Sequence, residues 1–197
     1  MALGHTSWRS PPAASPGVPQ RVRVSLQPAQ HTDGSLSDAA WYFIPEKAGV
    51  AGGIDARFVQ DNHSFSAEKG VARGLHFQRP PFAQAKLVRV ITGKVLDVVV
   101  DLRKDSKTFG QWASFELLAE NFEMLFIPRG MAHGFCVLED NTHFFYKTDE
   151  FYDAKSEGGI AWNDPDLKID WPIANPILSE KDQKLPSWQE FLQNNPF

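Results

Sequence analysis

Two short segments carry histidines in positions where they could do chemistry. GVARGLHFQ (70–78) places His76 within an apolar run that also holds an arginine, and IPRGMAHGF (127–135) places His133 at the foot of an apolar segment. Histidine titrates near neutral pH, so it suits the role of a general base, and its neutral ring is also a common metal ligand. Proton transfer and metal binding are therefore the first two hypotheses for these segments.

The second segment has the spacing P-x-G-x-x-H over 128–133, which resembles the second motif of the cupin jelly rolls. Many cupins hold a metal with a first motif of two histidines and a glutamate. Here that first motif has one histidine, Gln78 takes the place of the second, and Lys86 lies where a carboxylate would be needed. A divalent ion needs three or more nitrogen or carboxylate ligands, so the residues favour a site without metal. A metal-dependent cupin oxygenase or isomerase remains the alternative.

Two further polar residues interrupt apolar strand-like segments. Lys86 opens the run KLVRVIT, and Tyr146 lies within HFFYKT. Each of them alone, like a single histidine in a strand, is more often structural than functional. Four such residues on separate strands would destabilise the core of a small β fold, because burying unpaired polar groups costs free energy. Together they favour a polar pocket over a purely structural role.

The central part of the chain reads as β-strands. Apolar, β-branched runs flank turn signals at 92–94, 119–121 and 139–141, and such signals recur every eight to twelve residues. This spacing is typical of an all-β sandwich or barrel. The Thr-Gly-Lys turn at 92–94 predicts a hairpin. Ser187 and Glu190 have the capping-box spacing, which predicts a short C-terminal helix over about 188–194.

Composition limits the class of protein. The 197 residues suffice for one domain, which we expect over 21–197, and residues 1–20 are Pro- and Ser-rich and predict a flexible leader. The net charge of -4 argues against a nucleic-acid partner. No segment has the apolar length of a membrane span or of a signal peptide, and the single Cys136 suits a reducing compartment. We therefore expect a cytoplasmic protein with no membrane partner.

Several motifs in fixed order carry a family resemblance. The motifs span about Phe58 to Asp182. In chain order they are FVQDNHS, GVARGLHFQ, AKLVRVITGKVLDVVVDLRKDSKTFGQW, LFIPRGMAHGF, FFYKTDEFYDAKSEGGIAWNDPDLKIDWP and LSEKD. Together they resemble the dTDP-4-dehydrorhamnose 3,5-epimerases. The resemblance implies an all-β cupin-type double-stranded β-helix (jelly roll), working as a homodimer without metal or other cofactor. It implies the substrate dTDP-4-dehydro-6-deoxy-D-glucose, inverted at C3 and C5 beside its C4 ketone on the way to dTDP-L-rhamnose.

The resemblance also implies catalytic roles. His76 corresponds to the general base, and Asp182 corresponds to the carboxylate partner that fixes the tautomer of the base. Tyr146 matches the general acid on the opposite face of the sugar. Lys86 is similar to the lysine that stabilises the developing enolate oxygen.

The remaining site residues are implied to bind substrate. Arg73 matches a pocket position that we direct toward the diphosphate, where a planar guanidinium grips oxygens well. His133 matches another pocket position. Arg73 and His76 are three residues apart, so an ideal strand would send them to opposite faces unless a bulge at Gly74 intervenes. The other substrate-binding candidates are Gln60, Asn62, Tyr152 and Trp162, with Trp162 at the nucleotide end.

The N-terminal part departs from the family pattern. The family motif before VQDNHS reads Asp-x-Arg-Gly-x-Phe-x-Glu, whereas here Asp33, Leu36 and Asp38 stand at the arginine, aromatic and glutamate positions. The identity of the nucleotide therefore stays open. A C3-only epimerase or ketoisomerase acting on a related nucleotide sugar is one alternative, and a non-catalytic sugar-binding cupin is another.

Overall fold

The computed structural model describes the backbone of strand β1 (Gln20–Arg23) and all of residues 56–197. The other strands in this part of the chain are β2 (Gln60–Ser66), β3 (Ala72–Gln78), β4 (Lys86–Thr92), β5 (Lys94–Asp101), β6 (Trp112–Leu118), β7 (Glu123–Ile127), β8 (Met131–Val137), β9 (Thr142–Thr148) and β10 (Glu157–Gly159). They form two five-stranded antiparallel sheets. Sheet I has the order β1-β7-β4-β9-β2, and sheet II has the order β10-β3-β8-β5-β6. The expected all-β fold is confirmed.

The turns lie where the sequence predicts them, but they do not make hairpins. β4 and β5 flank the turn at 92–94 and belong to different sheets, so the predicted hairpin there is wrong. The turns at 119–121 and 139–141 likewise carry the chain from one sheet to the other. Pairing is decided by packing rather than by turn residues. Each pair of successive strands buries its apolar side chains across the space between the sheets.

Two apolar clusters cover sheet II on both faces. The inner cluster lies between the sheets and includes Val88 and Phe144 from sheet I together with Val99 and Phe135 from sheet II. The outer cluster packs the C-terminal segment against the other face of sheet II, and its buried members are Leu75, Phe77, Val98, Val100, Leu102, Ala132, Ile160, Leu167, Trp188 and Phe191. Strand β8 is accordingly buried at every position. Sheet II is therefore packed on both faces, and this packing fixes the positions of its inward-facing side chains.

The short C-terminal helix α1 (Trp188–Gln193) forms as predicted. Ser187 accepts a hydrogen bond from the backbone N–H of Glu190, and the Glu190 carboxylate accepts one from the backbone N–H of Ser187. This reciprocal cap satisfies two helix N–H groups and orients the helix so that its buried aromatic face meets sheet II. No helix in residues 56–197 combines the length and the apolar character that crossing a membrane requires.

The antiparallel strands β3 and β8 approach each other closely at Gly74 and Gly134. Arg73 pairs with Phe135 and His76 with His133, so three steps along β3 match two steps along β8. This irregularity at Gly74 settles the point that the sequence left open, because it lets both Arg73 and His76 line the space between the sheets. Gly74 has a φ of +98°, and a Cβ placed on it would lie 2.5 Å from the His133 carbonyl oxygen. Only glycine fits this conformation and this close approach.

We expect Gly74→Ala to lower the free energy of unfolding by roughly 3 kcal/mol, combining a backbone clash with left-handed strain. Gly70→Ala is the matched control. Gly70 has a φ of +91°, but its added Cβ would make only an ordinary 3.7 Å contact with Ile173. The control should therefore lose about 1 kcal/mol from strain alone. Urea denaturation of both variants measures the two losses in free energy of unfolding. Equal losses would contradict the close approach of β3 and β8 at Gly74.

Candidate active site

The inner face of sheet I supplies two rows of polar side chains. Asn62 lies opposite Tyr146, and in the next row Gln60 and Lys86 both lie opposite Thr148. Side chains in register on neighbouring strands share one face of the sheet, so these groups project together toward sheet II. Gln60 Nε2 donates to Asn62 Oδ1 at 2.8 Å, which links the two rows at the β2 edge.

The inner face of sheet II supplies the imidazoles. His76 on β3 lies directly opposite His133 on β8, and Asp97 on β5 is a diagonal neighbour of His133. Leu75 and Phe77 belong to the outer cluster, which leaves His76 on the inner side as strand alternation predicts. The two sheets therefore face each other with amine, phenol and amide groups on one side and imidazoles on the other.

Two adjoining cavities lie between these faces. The larger, about 290 Å³, is lined by Ser64, Phe65, Ser66, Arg73, His76, Lys86, His133, Phe135 and Tyr146. The smaller, about 120 Å³, is lined by Gln60, Asn62, His76, Phe77, Gln78, Gln84, Lys86, Tyr146, Thr148, Tyr152 and Glu157. His76, Lys86 and Tyr146 line both cavities. A molecule bound across the boundary would contact all three.

His76 is held by a buried carboxylate. Its Nε2 lies 2.6 Å from Oδ1 of Asp182, whose side chain is fully buried. Asp182 also accepts hydrogen bonds from Ser179 Oγ at 2.6 Å and from the backbone N–H of Gly74 at 3.2 Å. Burial would raise the pKa of Asp182, but the bonds from His76 and Ser179 outweigh it and lower that pKa to about 2. The carboxylate stays ionised, and Nδ1 is the ring nitrogen left to meet a ligand.

Lys86 carries its amine into an enclosed site. Burial lowers the pKa of Lys86 to about 8, against the opposing attraction of Asp97 and Glu157. Its Nζ lies 6.0 Å from the centre of the Tyr146 ring, and no residue in 56–197 hydrogen-bonds to it. The amine is therefore cationic at neutral pH and available to a negative oxygen.

Tyr146 faces the same space as a protonated phenol. Burial raises the pKa of Tyr146, and the nearby charge of Glu157 raises it further. The phenol therefore keeps its proton at neutral pH. A neutral phenol can donate its proton to a carbanion or enolate that forms beside it.

His133 pairs with Asp97, a residue that the sequence analysis did not select. His133 Nε2 lies 2.9 Å from Asp97 Oδ2, and both side chains are buried. An acidic residue at an inward position of the apolar run KVLDVVVD was the available signal, because a buried carboxylate needs a partner. Burial lowers the pKa of His133 although Asp97 opposes this.

The remaining candidates divide between the cavities and the surface. Arg73 lines the larger cavity and donates from Nη1 to the Ala72 carbonyl at 2.7 Å. Tyr152 lines the smaller cavity, where its hydroxyl donates to Glu157 at 2.8 Å. Trp162 lines neither cavity, and instead lies edge to face with Trp171 and accepts a hydrogen bond from it. The structure thus does not bring Trp162 to the site that the other candidates form.

Gln78, at the place of a cupin histidine, has a structural task. Its Nε2 donates to the carbonyls of Phe82 and Phe151, and its Oε1 accepts from the backbone N–H of Asp153. These bonds hold two loops at the mouth of the smaller cavity. Within residues 56–197, no group of three or more His, Cys, Asp or Glu side chains is placed to hold a metal ion. The motif positions Asp33, Leu36 and Asp38 lie outside the described residues.

Comparison with known proteins places this arrangement in one family. A family model described as dTDP-4-dehydrorhamnose 3,5-epimerase matches residues 24–190. The dTDP-4-dehydrorhamnose 3,5-epimerase of Shigella flexneri is 56% identical over 130 residues, covering 66% of this chain and 71% of that protein. The dTDP-4-dehydrorhamnose 3-epimerase of Streptomyces niveus is 38% identical over 158 residues, covering 80% and 75% respectively.

A solved structure agrees with this assignment. The dTDP-6-deoxy-D-glucose-3,5-epimerase of Legionella pneumophila, in complex with dTDP-4-keto-L-rhamnose, matches with a TM-score of 0.73 and 40% identity. The match covers 86% of this chain and 87% of that one. The double-sheet architecture is thus the expected cupin-type jelly roll. The chain belongs to the dTDP-4-dehydrorhamnose 3,5-epimerase family, a family of isomerases.

Proposed function

We propose that this protein epimerises dTDP-4-dehydro-6-deoxy-D-glucose at C3 and C5, giving dTDP-4-dehydro-L-rhamnose for deoxysugar biosynthesis. One observation carries the proposal. A histidine paired with a buried carboxylate, a lysine amine and a protonated phenol meet at the boundary of two cavities in a chain of this family. These are the groups that inversion beside a ketone requires, because such a reaction removes a proton, holds an enolate and returns a proton to the other face.

His76 is the general base in this proposal. Its Nδ1 takes the proton from C3 or C5, and Asp182 stabilises the imidazolium that forms. The pKa of about 2 keeps Asp182 ionised throughout the neutral range, so the pair is ready without a prior proton transfer. The C4 ketone of the substrate receives the electron pair as an enolate, so the chemistry requires no cofactor.

Lys86 stabilises the enolate oxygen. Its amine is enclosed, cationic at neutral pH and free of hydrogen-bond partners within residues 56–197. A charge held in a water-poor cavity interacts more strongly with a developing oxyanion than the same charge in water. Tyr146, beside it on sheet I, then delivers a proton to the face of the sugar opposite His76.

Binding residues surround this centre. Arg73 holds the diphosphate in the larger cavity, where His133 is its neighbour along the inner face of sheet II. Gln60, Asn62 and Tyr152 provide hydrogen bonds in the smaller cavity. Glu157 at the smaller cavity is already paired with Lys181, whereas Arg73 brings a guanidinium to the larger cavity, which supports placing the diphosphate on the Arg73 side.

An epimerase restricted to C3 is the second candidate function. The 38% identical relative from Streptomyces niveus is named as a 3-epimerase, so the family fold alone does not fix the number of carbons inverted. Tyr146 supplies an acid on the second face, which inversion at either carbon requires, so this residue does not distinguish the two candidate functions. Acceptance of thymine as the base rests on the family, since Asp33, Leu36 and Asp38 depart from its motif.

The same proposal covers organisation and partners. We assign residues 21–197 to a single catalytic domain, which the family match over 24–190 supports, and residues 1–20 to a leader outside it. A homodimer and a cytoplasmic location are further parts of the proposal. Sedimentation of the purified full chain would test the dimer, and a mass of one chain would contradict it.

Solvent exchange tests the reaction and the base together. In heavy water, the protein should incorporate deuterium at both C3 and C5 of dTDP-4-dehydro-6-deoxy-D-glucose, as followed by NMR. His76→Ala should slow exchange at both carbons by at least about 10³-fold, because it removes the base. His63→Ala is the control, since His63 is exposed and contacts His143 rather than the site. Exchange at C3 alone would favour the C3-only epimerase, and no exchange would favour a binding protein or another substrate.

The charge of Lys86 should shape the pH profile. Its lowered pKa of about 8 means that the amine loses its proton as pH rises through 8. We expect kcat/KM to fall above that pH, approaching about tenfold per pH unit. In Lys86→Arg the guanidinium stays protonated, so the overall rate should drop but the decline above pH 8 should disappear. The same decline in both proteins would assign it to another group.

Tyr146→Phe should separate proton removal from inversion. The variant keeps His76, so deuterium should still enter C3 and C5 from the original face. Formation of the inverted product should fall about 10²-fold or more, because the acid on the second face is gone. Tyr152→Phe is the comparison variant, and there exchange and inversion should stay coupled. Parallel loss of exchange and inversion in Tyr146→Phe would contradict the assigned role.

A further inference from the structure

The site contains a second buried His–Asp pair that the proposed reaction does not use. Asp97 on β5 is completely buried, and its Oδ2 contacts His133 Nε2 at 2.9 Å. The pair repeats the chemistry of His76 and Asp182 on the neighbouring strands of sheet II. His133 also lines the larger cavity.

The position of Asp97 is unfavourable for the stability of the fold. It lies between Val95 and Val99, which both belong to the inner apolar cluster. Its second oxygen, Oδ1, is buried and has no hydrogen-bond partner in the described part of the chain. A buried carboxylate that is only half satisfied destabilises a fold, so stability does not explain its presence. Besides its attraction for the Lys86 amine, its contact with His133 is the physical role that remains.

Asp97 determines which nitrogen of His133 carries the proton. In the 2.9 Å contact Asp97 Oδ2 is the acceptor, so Nε2 is the protonated nitrogen. Burial lowers the pKa of His133, and the charge of Lys86 lowers it further, outweighing Asp97. The ring is therefore neutral near pH 7 and Nδ1 keeps a lone pair. Nδ1 has no hydrogen-bond partner within residues 56–197.

A lone pair in a sugar site accepts a hydrogen bond from a hydroxyl group. A 4-dehydro-6-deoxy sugar joined to a diphosphate at C1 has ring hydroxyls only at C2 and C3. Inversion moves the C3 hydroxyl to the other face, whereas the C2 hydroxyl keeps its place throughout the reaction. C2 is also next to C1, and Arg73, the diphosphate ligand in our proposal, is one pair away from His133 along the sheet.

We propose that Asp97 is a positioning residue that holds His133 Nδ1 as the acceptor for the C2 hydroxyl of the bound sugar. This inference rests on the proposed function for the identity of the sugar. It gives His133 a role in substrate selection and none in proton transfer. The site would then prefer 2-hydroxy over 2-deoxy nucleotide sugars, because a 2-deoxy sugar leaves the Nδ1 lone pair unpaired in a buried site.

The tautomer can be measured in the free protein. Nitrogen-15 NMR of the histidine rings should show His133 neutral at pH 7 with its proton on Nε2. Asp97→Asn, whose amide can donate to Nε2, and Asp97→Leu, which removes the acceptor, should both reduce the population of that tautomer. A charged His133, or a proton on Nδ1 in the unaltered protein, would overturn the proposal. This measurement needs no substrate, so it stands apart from any failure of the proposed reaction.

Kinetics with two sugars test the acceptor role. The unaltered protein should favour the 2-hydroxy substrate over its 2-deoxy analogue by about tenfold or more in kcat/KM for C5 exchange. Asp97→Asn should lose most of that preference, with the change mainly in KM. Asp182→Asn is the matched control, and it should slow both sugars equally through kcat. An unaltered protein without preference, or an Asp97→Asn protein that keeps it, would refute the inference.

Discussion

The carboxylate of Asp182 joins the C-terminal segment to the space between the sheets. It pairs with His76 and accepts the backbone N–H of Gly74, at the point where β3 loses its regular register. Ser179 fixes the other oxygen of the same group. The position of the imidazole therefore depends on a segment about a hundred residues further along the chain. The outer cluster, with Trp188 and Phe191, keeps that segment in place.

The double sheet suits chemistry that needs groups on both faces of a flat substrate. Each sheet turns alternate residues inward, so one sheet presents His76 and His133 while the other presents Lys86 and Tyr146. The apolar inner cluster fills part of the same space and holds the two sheets apart. Opposing sheets thus place an imidazole and a phenol on facing walls of the cavities, which is the arrangement that the proposed inversion requires.

Sequence signals within a few residues of each other predicted local structure correctly. They did not predict which distant strands or side chains meet. The capping box at Ser187 predicts α1 because both partners lie within one helical turn. The turn at 92–94 is also local, but its pairing is not, since β4 and β5 take partners far along the chain. Asp97 was missed for the same reason. Its partner His133 lies 36 positions away, and strand alternation alone does not show which inward residues meet.

The family resemblance predicted the candidate site more fully than spacing did. His76 and Asp182 lie far apart in sequence, and only a fold already known could bring them together in advance. The irregularity at Gly74 was one possibility for bringing Arg73 and His76 to the same face, and only the strand register shows it. Trp162 shows the limit of the approach, because its place beside Trp171 depends on packing of the C-terminal segment.

The bonding of Gln78 has a consequence for protein engineering. Restoring the missing cupin ligand by Gln78→His would not convert this scaffold into a metalloenzyme by a single step. The amide makes three hydrogen bonds to the backbone of two loops, and an imidazole has only two ring nitrogens with which to replace them. Both loops would need redesign before a ligand at this position could turn toward an ion. A histidine introduced at this position would thus disturb the two loops before it could serve as a ligand.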